Sequence, residues 1–152
     1  MSCARAMRCR FFRRCREADG PVRRELTISE HAIDELALMK GRTMPPTMGA
    51  AVYFLGVVRG LEEGRAISGL EYEAFVPMAE RQFHLLLDEA EKKWPLESVR
   101  IVHRIGLVAV GLPSLWIEVV APHREEAFAS CQFIISEMKR LVPIWKKAFP
   151  PG

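Results

Sequence analysis

The 152-residue sequence has no apolar run approaching the ~18–20 residues that a bilayer-spanning helix requires. Its longest such stretches, Ala50–Leu55 and Ile105–Leu112, are of a length that suits buried strands. Cysteine is scarce. Cys3, Cys9 and Cys15 lie near the N-terminus, and Cys131 alone lies in the body. A single thiol in the body excludes a disulfide framework there and suits a reducing compartment, so a cytoplasmic location is expected. No glycine-rich phosphate loop of the P-loop or dinucleotide type occurs, which excludes the commonest nucleotide-binding folds. No carboxylate stands with histidines at metal-ligand spacing, and the five-residue gaps between Cys3, Cys9 and Cys15, with no histidine nearby, do not make a zinc pattern. Neither a metal nor a resident cofactor is expected. Internal repeats and low-complexity segments are also missing.

The first 24 residues lack acid. Eight arginines stand there against Glu17 and Asp19, a local net of +6, which leaves the remainder at −3 within the overall +3. Residues 1–24 therefore read as a basic, disordered extension, with Met7 or a later residue as an alternative start, and 25–152 as one domain. A nucleic-acid arm is an alternative, since clustered arginines neutralise phosphates. A targeting peptide is another, although serine is sparse.

What the body does have is clear periodicity. Glu25–Ile28 reads as a strand, followed by a helix with Ser29 as its N-cap and Gly41 at its end. Gly49–Arg59 and Ala66–Phe75 read as strands, joined by a polar, mobile Gly60–Arg65 loop. Pro77 opens a helix that runs to about Trp94, with Met78, Phe83, Leu86, Leu87 and Ala90 as its apolar stripe. Val99–Ile105 and Leu115–Ala121 are further strands, with turns or bulges at Gly106 and Gly111. A last helix from about His123 to Leu141 buries Ala127, Phe128, Cys131, Ile134, Ile135, Met138 and Leu141. After Pro143, Ile144–Lys147 is expected to pack as an irregular tail. Strands in pairs separated by helices argue for an α+β fold.

Cys131 lies on an apolar stripe and reads as a small core residue. The distinctive feature is a set of cations at element ends. Arg59 follows a strand, His123-Arg124 marks a strand-to-helix junction, Lys139 lies in a last helical turn, and Lys146-Lys147 follow a proline. Each alone has an ordinary explanation: a solvated arginine, a helix cap, dipole compensation. Together they describe a site for an anion.

Six segments carry a resemblance. They are Gly49-Ala50 with Phe54-Leu55-Gly56-Val57-Val58-Arg59; Leu70-Glu71-Tyr72-Glu73; Trp94-Pro95-Leu96; His103-Arg104-Ile105-Gly106; His123-Arg124 with Ala127-Phe128; and Pro143-Ile144-Trp145-Lys146-Lys147. In order and spacing, across Met48–Lys147, the chain resembles the molybdopterin synthase catalytic (large) subunit family, MoaE. The resemblance implies an α/β hammerhead with an antiparallel or mixed sheet and two long helices packed on it. It also implies a transferase moving sulfur from the C-terminal Gly-Gly thiocarboxylate of a small ubiquitin-fold subunit to cyclic pyranopterin monophosphate. The substrate pocket it implies is Val57, Val58, Arg59, His123, Arg124, Lys139, Lys146, Lys147 and Ala148, with Lys139 as main catalytic residue and Lys146 in support. His103-Arg104 matches a different motif and reads as strand and packing. The large subunits of the family dimerise within a heterotetramer, each pocket being shared with the neighbouring subunit.

Both reactants are anions, so fixed positive charge is what the chemistry needs. Two unit charges about 4 Å apart are worth roughly 4 kcal/mol at an effective dielectric of 20. Arginine and a helix start suit phosphate. A lysine crowded by cations and partly dried can move protons near neutrality, or hold the oxyanion formed as sulfur leaves the carbonyl. The chain departs from the family at Val57, where lysine is common, at Leu112 and Ala148, where acids are common, and in ending at Pro150-Pro151-Gly152. Part of the pocket wall is therefore expected to be missing. A same-fold homologue with weak turnover and a basic-armed nucleic-acid module are the competing readings. A nucleic-acid binder would carry its basic face on the folded body, which is net acidic.

Overall fold

A computed structural model describes residues 20–151. Its elements are β1 (Arg23–Ser29), α1 (Glu35–Lys40), β2 (Ala50–Val57), β3 (Leu61–Glu62), β4 (Arg65–Ala66), β5 (Gly69–Ala74), α2 (Val76–Lys93), β6 (Ser98–Arg104), β7 (Gly106–Ala109), β8 (Pro113–Ala121), α3 (Arg124–Leu141) and β9 (Ile144–Phe149). The main sheet has the order β1-β6-β8-β2, with β1 parallel to β6 and the other pairs antiparallel. A second, antiparallel sheet has the order β7-β5-β9, and β3 and β4 form a separate hairpin. The α+β expectation, with a mixed sheet and two long helices, holds.

Strand periodicity decides what each face of the main sheet buries. Val99 and Ile101 of β6, with Leu115, Ile117, Val119 and Ala121 of β8, point at the helices. From α2 come Ala79, Phe83, Leu86, Leu87 and Ala90, and from α3 Ala127, Cys131, Ile134 and Met138, at helical spacing. Phe83 and Ile134 are fully enclosed. Burying one such side chain contributes about 1.5–3 kcal/mol, so this layer fixes the positions of both long helices.

The alternate residues face the other way and include a buried charged cluster beside Trp116 and Val120. Arg100 bonds Glu118 at 3.2 Å and Glu25 at 2.9 Å, and donates to the Leu38 carbonyl at 2.9 Å. Its guanidinium also lies 5.2 Å from the Trp116 ring centre. α1 closes this side.

Several sequence expectations need correction. The strand expected at Glu25 begins at Arg23, so the boundary after residue 24 cuts into β1; Arg24 bonds Asp88 and Glu91 on α2. Expectations for the extension up to residue 19, with Cys3, Cys9 and Cys15, lie outside the described residues. Ser29 ends β1 rather than capping α1. Asp34 is the cap, accepting from the Ala37 N–H at 3.0 Å. The Gly60–Arg65 loop is a hairpin: Glu63 and Gly64 both take positive φ, 50° and 78°, which a tight two-residue hairpin turn demands. Met78, Phe128 and Leu141 are exposed, not on the buried stripes. The tail after Pro143 is not irregular. It is β9, and it pairs along the whole of β5.

Candidate functional site

A cavity of 390 Å³ opens where the two sheets and the C-terminal end of α3 meet. The end of β2 supplies Phe54, Gly56 and Val57, followed by Val58 and Arg59. From the small sheet come Leu70 and Tyr72 of β5, with Ile144 and Lys146 of β9. From α3 come Met138 and Lys139, and Glu62 reaches in from the hairpin.

Local structure holds each cation in place. Val58 is buried, its N–H donates to the Leu112 carbonyl at 3.0 Å, and its carbonyl accepts from the Gly111 N–H at 2.9 Å. Arg59 is thereby pinned at the point where β2 leaves the sheet. Lys139 lies in the last turn of α3. That helix end carries partial negative charge, which would repel an anion, so the cations must outweigh it. Lys146 lies opposite Tyr72 in the β5–β9 register and bonds the Glu62 carboxylate. That bond, reinforced by the charges of Lys146 and Arg59, holds the Glu62 carboxyl below the ordinary carboxylate value.

The floor is neutral and partly aromatic. Tyr72 meets His103 edge-on, with ring centres 5.5 Å apart at 73°. His103 is buried and donates from Nδ1 to the Arg104 carbonyl at 2.9 Å. Burial pushes its imidazole below the ordinary histidine value, against the opposing effect of that hydrogen bond.

Of the residues singled out from the sequence, Val57, Val58, Arg59, Lys139 and Lys146 share this cavity. Lys147 and Ala148 do not line it. β9 is a strand, so Lys146 and Lys147 point to opposite faces, and Lys147 stands opposite Glu71. His123 and Arg124 line a separate groove with Gly49, Pro122, Glu125 and Glu126. Ala50 pairs with Ala121 at that end of the β2–β8 ladder and Val57 with Pro113 at the other. At ~3.4 Å per residue the two patches are about 24 Å apart. His123 occupies the N-cap position of α3, and its side chain makes no capping hydrogen bond. Lys139, Lys146, His123 and Arg124 are all exposed, and the drying expected of the pocket is not supplied by one chain.

Among the lining residues that sequence reasoning missed are Glu62 and His103. Glu62 lay in a loop read as mobile. The signal that would have found it is the Glu-Gly pair of a tight turn flanked by the residues that pair across it. His103 was assigned to packing, although it has the same strand parity as Val99 and Ile101 and lies at the sheet end nearest the cavity.

Fold and cavity together define an α+β protein with a pocket rimmed by Arg59, Lys139 and Lys146 over a partly aromatic floor. The comparisons with known proteins agree with that class and narrow it. A family model described as MoaE protein matches residues 27–141. The chain is 42% identical over 120 residues to the molybdopterin synthase catalytic subunit of Thermoplasma volcanium, which covers 79% of this chain and 87% of that one. It superposes on molybdopterin synthase from Staphylococcus aureus with a TM-score of 0.73 at 36% identity, over 84% of this chain and 90% of that one. It also superposes on the complex of subunits 1 and 2 of the molybdopterin-converting factor from Helicobacter pylori, with a TM-score of 0.69 at 25% identity, over 81% and 83% of the two chains. The chain belongs to the MoaE family.

Proposed function

We propose that this chain is the catalytic subunit of a cytoplasmic molybdopterin synthase. It moves sulfur from the C-terminal thiocarboxylate of a small ubiquitin-fold partner onto cyclic pyranopterin monophosphate, as part of molybdenum cofactor biosynthesis. The observation that carries the reading is the meeting of Arg59, Lys139 and Lys146, from the end of β2, the last turn of α3 and β9, on one cavity with an aromatic floor. Family membership supplies the reaction, and the Helicobacter pylori complex supports a two-subunit assembly.

In this reading Arg59 and Lys146 hold the phosphate and the thiocarboxylate. Lys139 meets the carbonyl oxygen, which gains charge when water adds to the carbonyl carbon and loses it as the carbon–sulfur bond breaks. The thiocarboxylate sulfur attacks a side-chain carbon of the pterin and displaces an oxygen substituent there, giving a thioester, and water then hydrolyses that thioester, leaving the sulfur on the pterin and a carboxylate on the partner. Lys139 stabilises the oxyanion or shuttles the proton. Burial of the exposed lysines comes from the partner's inserted tail and from the substrate.

His123 and Arg124 act as a clamp on the cavity of a second copy of the chain, because ~24 Å of strand ladder separates them from their own. A homodimer at the centre of a heterotetramer follows. The test uses purified thiocarboxylated partner and cyclic precursor. Lys139→Ala should abolish most product formation, and near-normal turnover would refute its role. Mixing Lys139→Ala with Arg124→Ala chains should restore activity, since half of the sites in a mixed dimer regain both groups. No recovery on mixing would refute the shared pocket.

A further inference from the structure

We propose that His103 is a further substrate-contacting residue of this site, presenting the bare Nε2 of a neutral imidazole as acceptor to an N–H or O–H of the pterin. The proposal rests on the sulfur-transfer reading and goes beyond it in naming a residue and a polarity. Three observations carry it.

The first is position. His103 is only 5% exposed, yet it belongs to the cavity lining. Its edge-to-face packing on Tyr72 fixes the plane of the ring.

The second is the tautomer. A backbone carbonyl can only accept, so the 2.9 Å contact with the Arg104 carbonyl places the ring hydrogen on Nδ1. A neutral ring then leaves Nε2 as a lone pair. Among the described residues Nε2 has no hydrogen-bond partner, and it is not among the polar atoms sealed without one, namely Ser98 Oγ, Arg104 Nε, Glu118 Oε2 and Glu126 Oε2. His103 itself lines the cavity. Burial holds the imidazole below the ordinary histidine value, which favours the uncharged ring.

The third is complementarity. Arg59, Lys139 and Lys146 are donors only. Glu62 accepts, but Lys146 already engages it, and the Ser114 hydroxyl donates to the Gly56 carbonyl at 3.4 Å. A pterin brings ring N–H and side-chain O–H donors as well as a phosphate. In a cavity rimmed by cations, Nε2 is a rigidly held acceptor with no partner among the described residues.

Two substitutions separate this role from packing. His103→Asn keeps a donor near Nδ1 for the Arg104 carbonyl and places nothing at Nε2. His103→Gln carries an amide oxygen out to the Nε2 position. In the assembled enzyme with its thiocarboxylated partner, Asn should raise the KM for the precursor about 3- to 12-fold, the range of one hydrogen bond, with kcat less affected. Gln should stay within about threefold of the unsubstituted chain. Equal losses in both variants that track a fall in melting temperature would overturn the proposal, as would a normal KM in His103→Asn. The ¹⁵N resonance of Nε2 supplies an independent reading. It should have the position of an unprotonated nitrogen and shift when precursor is added, and an unmoved resonance would overturn the assignment. Conversion by the unsubstituted enzyme reports separately on sulfur transfer, and the nitrogen resonance decides the case of His103 whatever that turnover is.

Discussion

The charge arithmetic of the cavity makes a prediction with an unusual sign. Arg59, Lys139 and Lys146 contribute three positive charges and Glu62 one negative, a net of +2 on the lining. Lys146→Ala lowers this to +1 and leaves Glu62 facing any incoming anion without the lysine that engaged it. Adding Glu62→Gln returns the net to +2 without restoring an amine. A unit charge about 8 Å from the substrate is worth roughly 2 kcal/mol at an effective dielectric of 20. The Lys146 side chain is 52% exposed, so solvent screening brings the effect to about 1 kcal/mol, close to fivefold. Lys146→Ala should therefore weaken precursor binding about fivefold or more, and the double variant should recover about fivefold of the loss. The rate of sulfur transfer in the double variant should stay low, because the amine is still missing. Calorimetric titration of the partner-loaded enzyme measures the first quantity and single-turnover kinetics the second. The recovery should shrink as salt is raised from 50 to 500 mM, since the Debye length falls from about 14 Å to about 4 Å. A double variant that binds no better than Lys146→Ala would refute the view that Glu62 sets the cavity's anion affinity.

Other expectations concern stability and reactivity. Arg100→Leu should cost about 3–5 kcal/mol in urea unfolding, because it strands the fully buried Glu118 carboxylate, whereas Arg100→Leu with Glu118→Leu should recover most of that loss. His103 gives the fold a pH dependence of known sign. Its folded-state value lies below the ordinary 6.5, so the unfolded chain binds the proton first, and stability falls as pH drops through 6.5 until the lower folded value is passed. His103→Gln should flatten that part of the pH–stability curve. Burial pushes the Cys131 thiol up to about 11, so peptide mapping after iodoacetamide treatment at pH 8 should find Cys131 unmodified in the native protein and modified in urea.

The sequence disclosed most where one periodicity ran long. The α3 stripe through Ala127, Cys131, Ile134 and Met138 was legible because eighteen helical residues repeat the same demand. It overreached at Phe128 and Leu141, since apolar character places a residue near the stripe but not inside it. β9 was missed for the opposite reason. Its six residues, Ile-Trp-Lys-Lys-Ala-Phe, show little alternation, and their strand character comes from pairing with β5, whose partners lie 70 to 80 positions earlier. The same local blindness hid the cap of α1. Ser29 and Asp34 are both good caps by type, and the parallel pairing of β1 with β6 commits Ser29 to the sheet. Of the site, Arg59, Lys139 and Lys146 were legible through the family resemblance. The separation of His123 and Arg124 from them was not, because only a paired register measures distance along a ladder.

The far side of the main sheet has a thinner defence than the helix side. α1 has six residues and buries none of them, yet its Leu38 carbonyl takes a hydrogen bond from Arg100, above a carboxylate with no exposure at all. Arg42, just beyond the helix, reaches back to the Tyr53 hydroxyl at 2.7 Å and fastens the cover at one more point. A cover with no fully buried residue lifts at little cost, whereas α2 and α3 cannot lift without opening the core. Water should therefore enter the molecule first beneath α1. Amide hydrogens around Arg100 and Glu118 should exchange in brief local openings, long before those under Phe83, and the centre of the sheet should breathe on one side only.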